Sequence, residues 1–203
     1  AEILGAAGYE WVAVDLEHGS IGAHQLPDLF RALELGGTLP LARLAQGHAV
    51  DCKTALEAGA GGVIIPMVEQ AESLSRLREA VCWPPAGMRG VGFSRANLFG
   101  KNFDSYNEEA QSPLFVAMIE HVRAVENLDT ILAVKGLDAI LIGPYDLSAS
   151  MGITAQFNSP EFEAVIRRIH ERCRQHHIPS GVHVVEPDAA VLKKRIAEGY
   201  QFI

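Results

Sequence analysis

The sequence predicts an α/β protein, a (β/α)8 TIM barrel, and three observations carry that reading. Short apolar runs alternate with longer stretches whose apolar residues recur at helical spacing. The runs are almost unbroken in Val, Ile, Leu and Ala, as in a parallel sheet covered on both faces. Several helical stretches end at glycine just before the next run, the usual punctuation of an αβ connection.

Seven runs have strand length: 11–16, 39–44, 62–67, 114–119, 137–142, 181–185 and 200–203. Helical spacing covers 24–35, 48–58, 69–81, 125–134, 159–176 and 187–198. Gly36, Gly59, Gly136 and Gly199 mark helix ends. The chain opens on the helical "AEILGAAGY" and stops in the apolar "GYQFI", with no initiator Met. We therefore expect an eighth strand before Ala1, more chain beyond Ile203, and one catalytic barrel domain over residues 1–203, incomplete at both ends. The rival α/β architecture, a doubly wound open sheet, usually carries a glycine-rich nucleotide loop after a strand. Here "EAGAGGV" (57–63) precedes a strand and reads as a helix end. The stretch 83–112 reads as one long irregular loop, placed to cover the barrel mouth or meet a neighbouring subunit.

With 203 residues, 48% hydrophobic and 21% charged, the composition is that of an ordinary globular chain. A net charge of −8 without a basic stripe argues against a nucleic-acid partner. No apolar stretch approaches the roughly 18–20 residues of a membrane span, so no membrane partner is expected. Cys52, Cys82 and Cys173 are odd in number and lack CxxC spacing, which fits a reduced, cytoplasmic setting.

A parallel barrel collects its functional groups at the C-terminal ends of its strands. The first run leads into Asp15, Glu17 and His18, the second into Arg43, and the fourth into Glu120 and His121. The fifth leads into Gly143-Pro144-Tyr145-Asp146 and the sixth towards His183 and Glu186. Polar groups at so many strand ends predict one convergent site. Glu120 and Asp146 are the candidate metal pair, suited to a hard divalent ion such as Mg²⁺ or Mn²⁺; the plainer alternative is that each caps the following helix. His18 is the candidate base, with Asp15 or Glu17 to orient it, or else a surface-loop histidine. Arg43, in an otherwise apolar run, must be paired or bind an anion, and a structural pair with Glu17 is the alternative. No lysine stands at a strand end, which argues against imine chemistry.

The motifs "DLEHGS", "EAGAGGVIIPMVEQAE", "WPPAGMRGVG", "MIEHVRAVENLDTI" and "IGPYDLSASMG" together resemble the HpcH/HpaI family of class II, metal-dependent aldolases. The resemblance covers nearly the whole chain. It implies a TIM barrel of the phosphoenolpyruvate/pyruvate type and a carbon–carbon lyase. That enzyme would reversibly cleave a 4-hydroxy-2-oxo acid to pyruvate and an aldehyde, through an enolate stabilised by Mg²⁺, Mn²⁺ or Co²⁺. It further implies His18 as base, Glu120 and Asp146 as metal carboxylates, and Arg43 as the arginine of the transition state. Glu57 matches the acid that raises the basicity of the histidine, where better-known members have Asp. The backbone at Tyr145–Asp146, approached through Gly143 and Pro144, would receive the pyruvate carboxylate. Met118 stands where those members have a substrate-binding Gln, so an amide donor is missing. A homo-oligomer is implied, a hexamer by family analogy. Two alternatives stay open. One is an acyl-CoA ester lyase of the citrate lyase β type, for which the long loop offers only Arg89, Arg95 and Lys101 as basic residues. The other is a barrel that binds a 2-oxo acid or metal without turnover.

Overall fold

The computed structural model describes residues 1–185 and 188–203. A short helix α1 (Glu2–Ala6) leads into strand β1 (Trp11–Asp15), a 3-10 turn (Ala23–Gln25) and α2 (Leu26–Leu35). There follow β2 (Leu39–Arg43), α3 (Ala49–Glu57), β3 (Gly62–Ile65) and α4 (Ala71–Val81). A 3-10 segment (Arg95–Gly100) and α5 (Phe103–Glu109) precede β4 (Leu114–Ile119). The short helices α6 (Val122–Glu126) and α7 (Leu128–Leu132) connect it to β5 (Ala139–Ile142). After β5 come α8 (Pro144–Ser150), α9 (Pro160–His176), β6 (Ser180–Val182) and α10 (Ala189–Ala197).

Local chemistry accounts for the helix boundaries. In α2, Pro27 sits in the first turn and Leu26, Phe30 and Leu33 form one buried stripe. Ser159 caps α9 by accepting the Phe162 N–H at 3.2 Å. Glu161 and Glu163 occupy its first turn and Arg174 and His176 its last, all favourable to the helix dipole. Asp188 caps α10 by accepting the N–H groups of Ala190 and Val191.

The chain forms two compact units, residues 1–65 with 76–115, and residues 66–75 with 116–203. In the first, β1 runs parallel to β2, in register from Trp11 opposite Leu39 to Asp15 opposite Arg43. Strand β2 runs parallel to β3, from Leu41 opposite Gly62 to Arg43 opposite Ile64. The Leu114 N–H, at the start of β4, donates to the Gly61 carbonyl at 3.0 Å. A Cβ on Gly62 would lie 2.4 Å from Leu114, so this close approach requires glycine. In the second unit β4 runs parallel to β5 and β5 to β6.

Where sequence and structure differ, the causes are local. The run 200–203 is no full strand: Phe202 makes an isolated parallel bridge to Gly181. The segment 125–134 divides into α6 and α7 at Asn127, whose ψ of 12 departs from helical geometry. The stretch 83–112 is not one loop, because α5 and the 3-10 segment order it. Trp83 packs edge-on to Tyr106 at 5.2 Å and against Phe103 at 5.5 Å. Among the described residues no helix is long and apolar enough to cross a membrane.

Candidate active site

In the first unit, the polar cluster begins where β1 ends. Asp15 and Arg43 are register partners on adjacent parallel strands, so their side chains leave the same face. Arg43 grips the carboxylate with two donors along one edge of its guanidinium: Nε donates to Oδ1 at 2.9 Å and Nη2 to Oδ2. The Oδ1 atom also accepts the main-chain N–H groups of Glu17 at 2.9 Å and His18 at 3.3 Å, which turns the chain just past the strand. Burial alone would raise the pKa of Asp15. The hydrogen bond from Arg43, those two amides and the charge of Arg43 outweigh burial and hold it below the ordinary carboxylate value.

Glu17 brings a second carboxylate oxygen to 3.6 Å from Nη1 of Arg43. The same oxygen lies 3.9 Å from Nε2 of His18, whose side chain is 63% exposed. Asp15 thus holds the backbone of His18 and the guanidinium of Arg43, and Glu17 is the carboxylate near the imidazole. Glu57 is not brought to this cluster. Helix α3 runs back from the strand ends, so Glu57 lies at its far end, where Lys53 is 3.7 Å away one turn earlier.

In the second unit, Glu120 follows β4 and is almost fully buried. Its Oε1 accepts the main-chain N–H of Met67 at 2.6 Å. Met67 has φ +50, a left-handed conformation that costs a non-glycine residue roughly 1–3 kcal/mol. Gly143, after β5, faces the same carboxylate: a Cβ there would lie 2.7 Å from Oε2 and 3.0 Å from Cβ of Glu120. The lack of a side chain at Gly143 makes room for Glu120. Met118, two residues before Glu120 and on the same face of β4, is buried. Its Cε would lie 3.5 Å from that Cβ.

Gly143 is also the N-cap of α8, with Pro144 at the first helical position and Asp146 in the first turn. Asp146 is exposed and does not cap the helix. Tyr145 is exposed and packs edge-on to Phe157 at 5.0 Å. His121 is occupied locally: it caps α6 through Nδ1, which accepts the Arg123 N–H at 3.2 Å. The His183 N–H donates to the Ile142 carbonyl at 3.1 Å, while Glu186 lies outside the described residues.

A divalent cation fits this donor set. Glu120 offers a hard carboxylate held by a main-chain donor beside a cleared glycine, and Asp146 opens the helix that Gly143 caps. Among the described residues no three or more His, Cys, Asp or Glu side chains cluster to hold a metal. Two carboxylates with the remaining positions left to water and substrate suit a Mg²⁺-like ion, not a closed zinc site. Sequence reasoning missed Met67, and no side-chain signal could have revealed it, because its contribution is a main-chain N–H.

Similarity to known proteins gives the family and the reaction class. The family model described as HpcH/HpaI aldolase/citrate lyase matches residues 1–203. The chain is 36% identical to a hydroxypyruvate/pyruvate aldolase of Roseobacter denitrificans, over all of this chain and 79% of that protein. It is also 36% identical to a 2-keto-3-deoxy-L-rhamnonate aldolase of Salmonella gallinarum, over all of this chain and 76% of that one. The crystal structure of an HpcH/HpaI aldolase/citrate lyase family protein from Burkholderia cenocepacia superposes with a TM-score of 0.92 at 28% identity, covering all of this chain and 80% of that one. The chain belongs to the HpcH/HpaI aldolase/citrate lyase family, and it is a carbon–carbon lyase of the aldolase kind.

Proposed function

We propose that this chain reversibly cleaves a 4-hydroxy-2-oxo acid to pyruvate and an aldehyde, with a divalent cation at Glu120 and Asp146. We read its strands as part of a (β/α)8 barrel of the phosphoenolpyruvate/pyruvate type. The observation that carries the reading is the buried Glu120 carboxylate, held by the Met67 amide beside a glycine that leaves it room. A carboxylate held in this way at a strand end is a hard oxygen donor suited to a divalent cation, and the aldolase relatives supply the reaction class.

When bound, Mg²⁺, Mn²⁺ or Co²⁺ supplies Lewis-acid charge for the keto oxygen of the 2-oxo acid. The residues do the rest. Arg43, its guanidinium plane fixed by Asp15, donates to the oxygen on which negative charge grows as the enolate forms. His18 takes the proton of the 4-hydroxyl, the C3–C4 bond breaks, its electron pair passes into the enolate, and the aldehyde leaves. The backbone at Tyr145 and Asp146, approached through Gly143 and Pro144, receives the substrate carboxylate. Met118 presents a thioether where an amide would donate, so the aldehyde side of the substrate meets an apolar neighbour there.

The acyl-CoA alternative has little to hold phosphates. Arg89 is buried against Trp83 and Tyr106, and Arg95 is engaged by Glu34 and the Ala58 carbonyl. We take the partners to be small molecules and further copies of this chain. Met88, Phe93 and Phe99, each more than 70% exposed, support a homo-oligomer, with a hexamer as the family precedent. Three free, buried cysteines support a cytoplasmic setting. The test is aldol cleavage followed by pyruvate reduction in a coupled assay across a panel of 4-hydroxy-2-oxo acids. Turnover that is lost on chelation and returns with Mg²⁺, Mn²⁺ or Co²⁺ is expected. Binding without turnover on every substrate would overturn the reading.

A further inference from the structure

We infer that Met67 is the positioning residue of the cation site, acting through its main chain alone. The inference rests on the assignment of Glu120 to the cation. Glu120 is buried, so its orientation cannot be set by bulk water, and a carboxylate that turns freely about its last bond would present a shifting pair of oxygens. Among its contacts, two restrict it. Met67 N–H holds Oε1 at 2.6 Å, and Gly143 lies against Oε2 and the Cβ. The first contact is directional and charge-assisted, the stronger kind of hydrogen bond.

The direction of that N–H is set by the backbone of Met67. Strand β3 ends at Ile65, Pro66 follows, and Met67 turns into the left-handed region at φ +50. Pro66 has no N–H to offer, so the Met67 amide is the first main-chain donor past the strand. The Met67 side chain is 49% exposed, so core packing does not explain the strained conformation. Observed strain beside a buried carboxylate points to a positioning task. The identity of the side chain at 67 therefore matters only through the backbone it permits.

The experiment measures Mn²⁺ binding without substrate, by calorimetry and by loss of the free-ion EPR signal. Chemical unfolding in excess chelator runs alongside. Glu120→Gln first establishes that wild-type binding runs through this carboxylate. The α-hydroxy analogue of methionine at position 67 then replaces the N–H with an ester oxygen and leaves the side chain intact. Mn²⁺ affinity is expected to fall about 10–100-fold, as for loss of an outer hydrogen bond to a metal ligand. Met67→Val keeps the N–H but disfavours the left-handed backbone, and should weaken Mn²⁺ in the same direction even if the ester protein does not fold. Met67→Gly keeps the N–H and tolerates that backbone, so it should bind within a few-fold of wild type. If wild type binds through Glu120 but the ester and Val variants bind equally well, Met67 has no positioning role. Equal weakening in Met67→Gly would also overturn it, by placing the effect in the side chain. If wild type binds no Mn²⁺, or Glu120→Gln binds as wild type does, the cation assignment itself falls, and this inference with it.

Discussion

Asp15 and Arg43 stand opposite each other on neighbouring parallel strands and are joined at two points, Nε to Oδ1 at 2.9 Å and Nη2 to Oδ2. A guanidinium held at two points along one edge has one plane, and its charge is aimed before any substrate arrives. Lysine cannot reproduce a two-point grip. Arg43→Lys should therefore lose nearly as much aldol cleavage as Arg43→Ala, each by roughly the 10²–10³-fold typical of one lost oxyanion donor. Steady-state kcat/KM decides it; a Lys variant within threefold of wild type would show that charge alone suffices.

The same pair governs a pH effect. The folded pKa of Asp15 lies below its ordinary value of 3.8. A lowered carboxylate contributes stability above its unfolded value, and that contribution is lost as pH falls through the folded value. Wild type should thus lose stability below about pH 4. Asp15→Asn should be less stable at pH 7 and show a shallower decline in acid. Urea midpoints at pH 7, 5, 4 and 3 supply the comparison, and parallel curves for the two proteins would refute the prediction.

His18 differs from Arg43 in what it serves. As the proposed base, its imidazole would serve the 4-hydroxyl proton, which only cleavage and addition involve. His18→Ala should lower cleavage by roughly 10²–10⁴-fold, the range for loss of a general base. Unfolding should be almost unaffected, since the side chain is 63% exposed. Cleavage at the wild-type rate would make His18 a surface-loop residue.

Gly143 gives a steric test. A methyl group there would stand 2.7 Å from Oε2 of Glu120. Gly143→Ala should displace the carboxylate and lower kcat/KM by about 10²-fold, the loss that a displacement near 1 Å can cause, with circular dichroism unchanged. Activity within a few-fold of wild type would mean that Glu120 has room elsewhere.

How much of this was legible beforehand depended on whether a side chain or the backbone carried the information. Apolar runs and glycine stops located β1 to β6 within a few residues, because buried parallel strands and helix ends leave composition signals. Asp15, Arg43, Glu120 and Asp146 were visible as polar residues closing apolar runs. The start of α8 was misplaced, since Asp146 reads as a possible cap of the helix that follows it, whereas Gly143 is the N-cap and Pro144 the first helical residue. That Asp15, not Glu17, would take the two-point contact with Arg43 depended on strand register, which apolar patterning fixes only to the face. Glu57 looked like an acid for His18 until the direction of α3 set it at the far end. Met67 left no trace at all, because a main-chain donor has no residue type.

The cysteines test the core independently. Cys52 and Cys173 are buried and their thiols are pushed up to about 12 by burial, and Cys82 is buried too. A thiol that cannot ionise does not attack disulfides. The native protein should show almost no reaction with a chromogenic disulfide at pH 8, and three thiols should appear in denaturant. Rapid titration of a thiol in the folded protein would contradict the packing around these residues.

If an enolate forms with cation help at Glu120 and Asp146, proton NMR of pyruvate in D₂O will detect it. Exchange of the methyl protons reports enolate formation without any aldehyde. Exchange is expected with added Mg²⁺ or Mn²⁺, none after rigorous chelation, recovery on adding the cation back, and none in a folded Glu120→Gln protein. Full exchange in the chelated protein, or a lysine adduct trapped by borohydride with pyruvate, would contradict it.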